Sequence, residues 1–163
     1  LLGANIETVV REPADVAARG AMLLGSMLAG QAFANSPVAA VHALAYPLGG
    51  HYHLPHGLSN SLVLGPVLEF NLPAAQTLYA ELGRAIAPGA VSASDEVAAT
   101  IFVKSIRQLV ATMPYAQTLH EAGVKEADLP MLATDAMNVQ RLLVNNPRDV
   151  AYDDALATYR AAF

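Results

Sequence analysis

Three observations predict an all-α fold. Apolar residues recur at helical spacing, as in Val97, Ile101, Ile106 and Leu109. No segment alternates apolar and polar residues convincingly enough to be a strand, and no internal repeat occurs. From Gly20 to Leu68 there is no Asp, Glu, Lys or Arg, although Pro, Gly and Asn punctuate the stretch. Such a stretch suits helices buried on most sides in a larger protein.

The elements follow in chain order. Residues 13–34 predict a helix, with Pro13 in its first turn and Glu12 and Asp15 at the positive end of its dipole. Gly20, Gly25, Ala29 and Gly30 on it would allow another backbone to approach closely. Asn35 ends it. Residues 38–48 predict a second helix, closed by Gly49 and Gly50, with a loop over 51–55. A third helix starts at His56 or Gly57 and runs to Phe70, bent near Gly65-Pro66. Residues 73–86 form the next, with Leu78, Tyr79, Leu82 and Ile86 on one side. After a loop rich in small residues, Ser94 caps a helix reaching Thr112, with Asp95 and Glu96 just inside. Residues 118–122 form a turn before Gly123. A helix then leads from about Leu129 to Leu143, Asn145 to Arg148 turn the chain, and residues 152–163 close it as the last helix.

Composition excludes several functions. The 163 residues suffice for one domain with a core of its own. With 54% hydrophobic and 14% charged residues the chain is too apolar for a disordered tail. A net charge of -5 argues against nucleic-acid binding, which needs clustered cations. A membrane span is not expected, because no uninterrupted apolar run reaches about 18 residues. Without cysteine there is no disulfide and no thiolate metal site, and the cytoplasm is the expected location. The chain opens on Leu1 with no basic leader or cleavage site. It reads as a single helical domain, 1–163, truncated on its N-terminal side.

Chemistry concentrates in one segment. Four of the five histidines lie between His42 and His56, in a stretch without charge. A single helical histidine is more often a hydrogen-bonded core residue than a ligand. Four within fifteen residues are harder to explain that way, and neutral imidazole is a common ligand for zinc and iron. His51 and His53, two apart in an extended loop, would point the same way. His42 within one helix and His56 at the start of the next could be brought together by a Gly-Gly reversal. Two ligands are too few for a catalytic ion, which takes about three protein ligands and an open position.

Several blocks carry a resemblance. They are Gly30-Gln-Ala-Phe33-Ala-Asn35, His42-Ala-Leu-Ala, Pro47-Leu-Gly-Gly, Pro55-His56-Gly57-Leu-Ser-Asn60 and Val67-Leu-Glu-Phe70-Asn71, with weaker similarity from Asn146-Pro147-Arg148 to Phe163. Together they resemble the iron-containing, or group III, alcohol dehydrogenases over nearly the whole chain. The resemblance implies the helical C-terminal domain of the dehydroquinate synthase-like fold those enzymes share. It implies that His42 and His56 are two of four ligands to a divalent metal, Fe2+ or Zn2+. The other two, an Asp and a His four residues later on an earlier helix, have no counterpart before His42. The N-terminal nucleotide-binding domain is also missing, and Gly49-Gly50 is no substitute for its phosphate loop.

The implied reaction is oxidation of an alcohol, or reduction of an aldehyde or ketone, with hydride passing to or from NAD or NADP. Phe33 and Tyr46 are implied to line the nicotinamide and substrate pocket. Tyr46 departs from the family pattern, in which many members carry a second His there. Two roles stay open for it: a hydrogen-bond donor in the proton path, where His51 or His53 could replace the relay, or a pocket wall. Maleylacetate reductase, which shares the fold, is the second enzyme reading. Gly57-Leu-Ser-Asn60 fits the alcohol dehydrogenase branch better, and no Lys or Arg between Gly20 and Leu68 could meet a carboxylate substrate. The third reading is a non-catalytic helical domain serving oligomerisation or metal binding. An apolar face cut off from its neighbour would self-associate, so a homo-oligomer is expected.

Overall fold

A computed structural model describes residues 1–163. It contains α1 (Leu2–Arg11), α2 (Val16–Phe33), α3 (Ala40–Tyr52), α4 (His56–Ile86), α5 (Asp95–Ala111), α6 (Leu129–Met137), α7 (Gln140–Leu143) and α8 (Tyr152–Ala162). Two single 3-10 turns, Pro88–Ala90 and Glu126–Asp128, complete it, and no strand forms. No helix is long and apolar enough to cross a membrane.

α4 is the spine. The expected break between Phe70 and Pro73 does not occur; one helix of 31 residues runs through both Pro66 and Pro73. Each proline removes an amide donor and crowds the carbonyl four residues earlier, at Leu62 and Glu69. Contacts on both sides hold the helix together past them. Its first half packs into the main core with α3, α6 and α8, through Leu44, Leu48, Val63, Leu132 and Tyr159. Its second half forms a separate core with α5, through Ala75, Tyr79, Ala98 and Phe102. Between them the side-chain amides of Asn71 and Asn146 donate to each other's carbonyl oxygens at 2.9 and 2.7 Å. Arg148 stacks 4.0 Å over the Phe70 ring and donates to the Phe70 carbonyl. The Asn-Pro-Arg turn is therefore a latch on the middle of α4.

Other expectations also need correction. Leu78, Leu82 and Ile86 do not face the core; they are exposed, and Ala75, Tyr79, Ala80 and Gly83 are buried instead. α5 likewise buries Ala98 and Ala99 and exposes Val97. Around Gly83 the two helices approach so closely that no side chain fits between their backbones. A Cβ on Gly83 would overlap the carbonyl oxygen of Ala98. Among the α2 glycines, only Gly25 is approached, by the Leu1 and Leu2 side chains; nothing lies within 4 Å of a Cβ at Gly20 or Gly30. α2 begins at Val16 rather than near Pro13, because the Asp15 carboxylate accepts the Ala18 amide at 2.9 Å and caps it there. α1 was not expected at all. The single helix expected over 129–143 is two, α6 and α7, parted at Asn138-Val139. Ser94 caps α5 as expected.

α3 is tied to α8 by one buried bond. The Tyr159 hydroxyl, fully buried, donates to the Leu44 carbonyl at 2.6 Å. Burial, and then the charge of Asp135, hold this hydroxyl far above the usual tyrosine range, so it is a permanent donor. The bond lies next to a weak point, since Pro47 denies Ala43 its helical partner.

Gly83→Ala should lose about 1–3 kcal/mol of stability through overpacking, despite alanine's better helix propensity. Gly50→Ala, with nothing within 4 Å of the new Cβ, should gain up to about 1 kcal/mol. Tyr159→Phe should lose about 1 kcal/mol and Tyr159→Ala about 3–5 kcal/mol. Denaturant unfolding of the four variants checks these signs and their order.

Candidate metal centre

The site is built by a chain reversal. α3 does not stop at Gly49-Gly50 as expected but continues to Tyr52. His53 then takes the left-handed conformation, φ 54°, and its amide donates to the Gly49 carbonyl at 3.1 Å. A non-glycine residue rarely adopts this φ, and histidine is among those that tolerate it best. The chain turns back along α3, and the Leu54 carbonyl passes 3.8 Å from where a Gly49 Cβ would be. That is ordinary contact distance, so a side chain would fit at Gly49, and the glycine does not end the helix. Pro55 fixes an extended backbone, and α4 starts at His56. The Ser59 hydroxyl, buried, donates to the Pro55 carbonyl at 3.2 Å and anchors the first turn.

This reversal brings His42 of α3 and His56 of α4 together. Their ring centres are 5.2 Å apart and the planes are inclined at 53°. Tyr46, one helical turn after His42, adds a third ring, 6.4 Å from His42 and 6.2 Å from His56. Phe33 stands outside this cluster, 58% exposed at the end of α2. His51 and His53 are also outside it. His51 is in the last turn of α3, not in a loop, and its Nε2 is 2.6 Å from an Asp135 carboxylate oxygen on α6. Next to it the Tyr52 hydroxyl donates to Asp128 and accepts from the Lys125 amide. These contacts dock α3 on the α6 side; they do not extend the histidine site.

Electrostatics favour a neutral His42 ring. Burial, and secondly the neighbouring His56, push the His42 pKa below its ordinary 6.5. A neutral imidazole offers a lone pair to a metal. With metal–nitrogen bonds of about 2.0–2.1 Å, rings this close can each direct a nitrogen at one shared ion. The donor set therefore fits half of a catalytic shell. No group of three or more His, Asp or Glu side chains comes together anywhere in the chain. Asn60, expected only as part of a motif, proves to touch His56. Its amide nitrogen is 3.1 Å from His56 Nε2 and 2.9 Å from the His56 carbonyl oxygen. The four-residue spacing on one helix was the available signal.

The whole chain, residues 1–163, matches the family model described as Fe-containing alcohol dehydrogenase family, C-terminal. The chain belongs to the iron-containing alcohol dehydrogenase family. It is 36% identical over its full length to long-chain-alcohol dehydrogenase 1 of Geobacillus thermodenitrificans, covering 41% of that protein. It is 33% identical to a 1,3-propanediol dehydrogenase of Citrobacter freundii, covering 42%. The crystal structure of a 1,3-propanediol oxidoreductase superposes with a TM-score of 0.93 at 32% identity, over 99% of this chain and 42% of that one. The chain thus spans about two fifths of the length of these iron-containing alcohol dehydrogenase relatives. The all-α architecture is that of the family's C-terminal part.

In the metal-free protein, His42 should titrate below 6.5, and His56→Ala should move it back only part of the way, because burial is the larger cause. A depressed histidine pKa means that the unfolded chain takes up the proton first. The contribution to stability is complete above pH 6.5 and is lost as pH falls through the folded pKa. Histidine NMR titrations of the wild type and the His56→Ala variant measure both statements.

Proposed function

We propose that this chain is the metal-binding C-terminal part of an NAD(P)-dependent alcohol dehydrogenase, acting on alcohols and on aldehydes or ketones. The observation that carries the reading is the His42–His56 pair, two imidazoles from different helices centred 5.2 Å apart. The metal, Fe2+ or Zn2+ according to availability, would polarise the substrate oxygen, and the nicotinamide would take or give the hydride. His42 and His56 supply two ring nitrogens to the ion. Tyr46 faces the same space, and its hydroxyl would donate a hydrogen bond to the substrate oxygen. Phe33, exposed at the end of α2, would cover the nicotinamide together with Tyr46.

A nucleotide-binding domain preceding this chain would supply the other ligands and the phosphate loop. Two features support such a partner. The chain covers only 41% of the length of its relative. α2 also presents Leu23, Leu24, Met27 and Leu28 to solvent, an apolar stripe that calls for cover. The same stripe would drive self-association of the chain by itself. A homo-oligomer located in the cytoplasm belongs to this reading. Maleylacetate reduction is not favoured: no Lys or Arg lies between Gly20 and Leu68 to meet a carboxylate substrate.

The test uses the full-length protein carrying this chain. His42→Ala combined with His56→Ala should abolish stoichiometric metal and lower kcat/KM by at least about 10³-fold, the scale of losing transition-state charge stabilisation. Retained metal and activity in that double variant would sink the proposal.

A further inference from the structure

An open groove of about 510 Å3 has His42 in its wall. Its floor is one face of α4, where Leu64, Leu68, Asn71, Ala75 and Leu78 follow each other at helical spacing. At 1.5 Å of rise per residue that face is about 21 Å long. Ala39 and Val41, beside His42, form one wall, and the turn at Asn145, Asn146 and Pro147 forms the other. The His42 ring is 5.2 Å from that of His56, the first residue of α4. His42 therefore stands at the Leu64 end of the groove, and Leu78 at the far end. No Asp, Glu, Lys or Arg lines the groove. Its asparagines are already engaged: Asn71 and Asn146 bond to each other, and the Asn145 amide donates to the Val38 carbonyl at 3.1 Å. Burial holds the Tyr79 hydroxyl above the ordinary tyrosine range, with Asn71 acting secondarily the other way, so this group is neutral too.

We infer that this groove takes the hydrocarbon tail of the substrate, so that the protein prefers unbranched aliphatic alcohols and aldehydes of several carbons to short or polyhydroxylated ones. The inference rests on the proposed function, which places the reacting end of the substrate at the His42–His56 pair. Continuity with that pair identifies the occupant. A molecule that reacts beside His42 has the groove as the path for its remaining carbons. The volume is that of an ordinary small-molecule site, about 300–1,000 Å3. A charged or hydroxyl-bearing tail would lose its hydration there without finding a free partner. An alkyl tail meets leucine, valine and alanine side chains, and each CH2 it buries should improve affinity about fourfold, the equivalent of about 0.8 kcal/mol.

The experiment uses the full-length protein carrying this chain and the unbranched primary alcohols from 1-propanol to 1-octanol. In the metal-loaded enzyme, kcat/KM should rise up to about fourfold per added CH2. In the metal-free protein, calorimetry should show binding of the same alcohols tightening by a similar factor, a readout independent of turnover. Ala39 is the N-cap of α3 and is partly exposed, so it can be replaced without opening the core. Ala39→Leu narrows the groove, and Ala39→Asp, a residue favoured at an N-cap, puts a charge in its wall. Each should lower the ratio of kcat/KM for 1-octanol over 1-propanol at least about tenfold, and Ala39→Leu should also weaken 1-octanol binding to the metal-free protein. Leu82→Asp, exposed on the same helix but outside the groove, should leave that ratio where it was. Activity and binding that do not depend on chain length would overturn the inference. So would an Ala39→Leu variant that changes subunit association or stability but not the ratio, since a second copy or a preceding domain would then be the occupant. Should no alcohol be turned over, the proposed function fails, and binding to the metal-free protein still decides whether the groove takes an alkyl chain.

Discussion

Everything in this molecule hangs on α4 remaining one helix. Its N-terminal residue is His56, its first half completes the main core, and its second half is the wall on which α5 packs. Two prolines lie within it, each costing a backbone hydrogen bond. What offsets that loss is distributed: the Asn71–Asn146 amide pair, Arg148 on Phe70, the Arg107–Glu69 ion pair to α5, and the close fit at Gly83. The exposed ion pair counts for little in such a sum. The amide pair and the small-residue interface count for more, because they are removed from water and shape-specific. The geometry of the histidine pair is thus inherited from contacts far along the same helix.

The fold class was legible because helical spacing, cap residues and missing alternation agree with one another. Ser94 and the last helix stand where the chain's own chemistry puts them. Burial was less legible. A search for bulky apolar residues selects Leu78, Leu82, Ile86 and Val97, yet the α4–α5 interface buries Ala75, Ala80, Gly83, Ala98 and Ala99. Close helix packing favours whatever lets backbones approach, and spacing of large side chains does not report that. The glycines misled in the same way. Gly49 and Gly50 resemble a helix end, but both lie within α3, and the reversal is made by His53 in a left-handed conformation.

Within the candidate site, the pairing of His42 with His56 follows from a short helix, a tight return and a second helix, all visible in the residues. The separation of His51 and His53 from them was not. Whether the chain leaves α3 at Gly49 or at Tyr52 changes the direction of both side chains, and three residues of helix are a small energetic difference. The carboxylates of Asp128 and Asp135 settle it by offering the end of α3 two anchors on the α6 side. Those anchors lie more than seventy residues away in sequence, which is why no local pattern announces them.

The uncharged stretch acquires a physical reason from this arrangement. A divalent ion bound by two neutral imidazoles keeps its full charge, and no carboxylate stands nearer in sequence than Asp15 before α2 or Glu69 along α4. On the proposed function, His42 and His56 alone would bind a metal weakly, and neutralisation would have to come from an acidic ligand beyond them. Under the proposed function, that ligand belongs to the part of the protein lying across the cleft. Metal affinity and docking of the two parts then become one linked equilibrium: an ion that binds well only to the assembled site stabilises the assembly by the difference in its binding free energy. A carboxylate placed within the stretch would hold the ion on this half alone and weaken that linkage. On the proposed function, its exclusion from residues 20–68 follows from the same logic as the apolar stripe on α2, since both surfaces would gain stability only when a second part of the protein covered them.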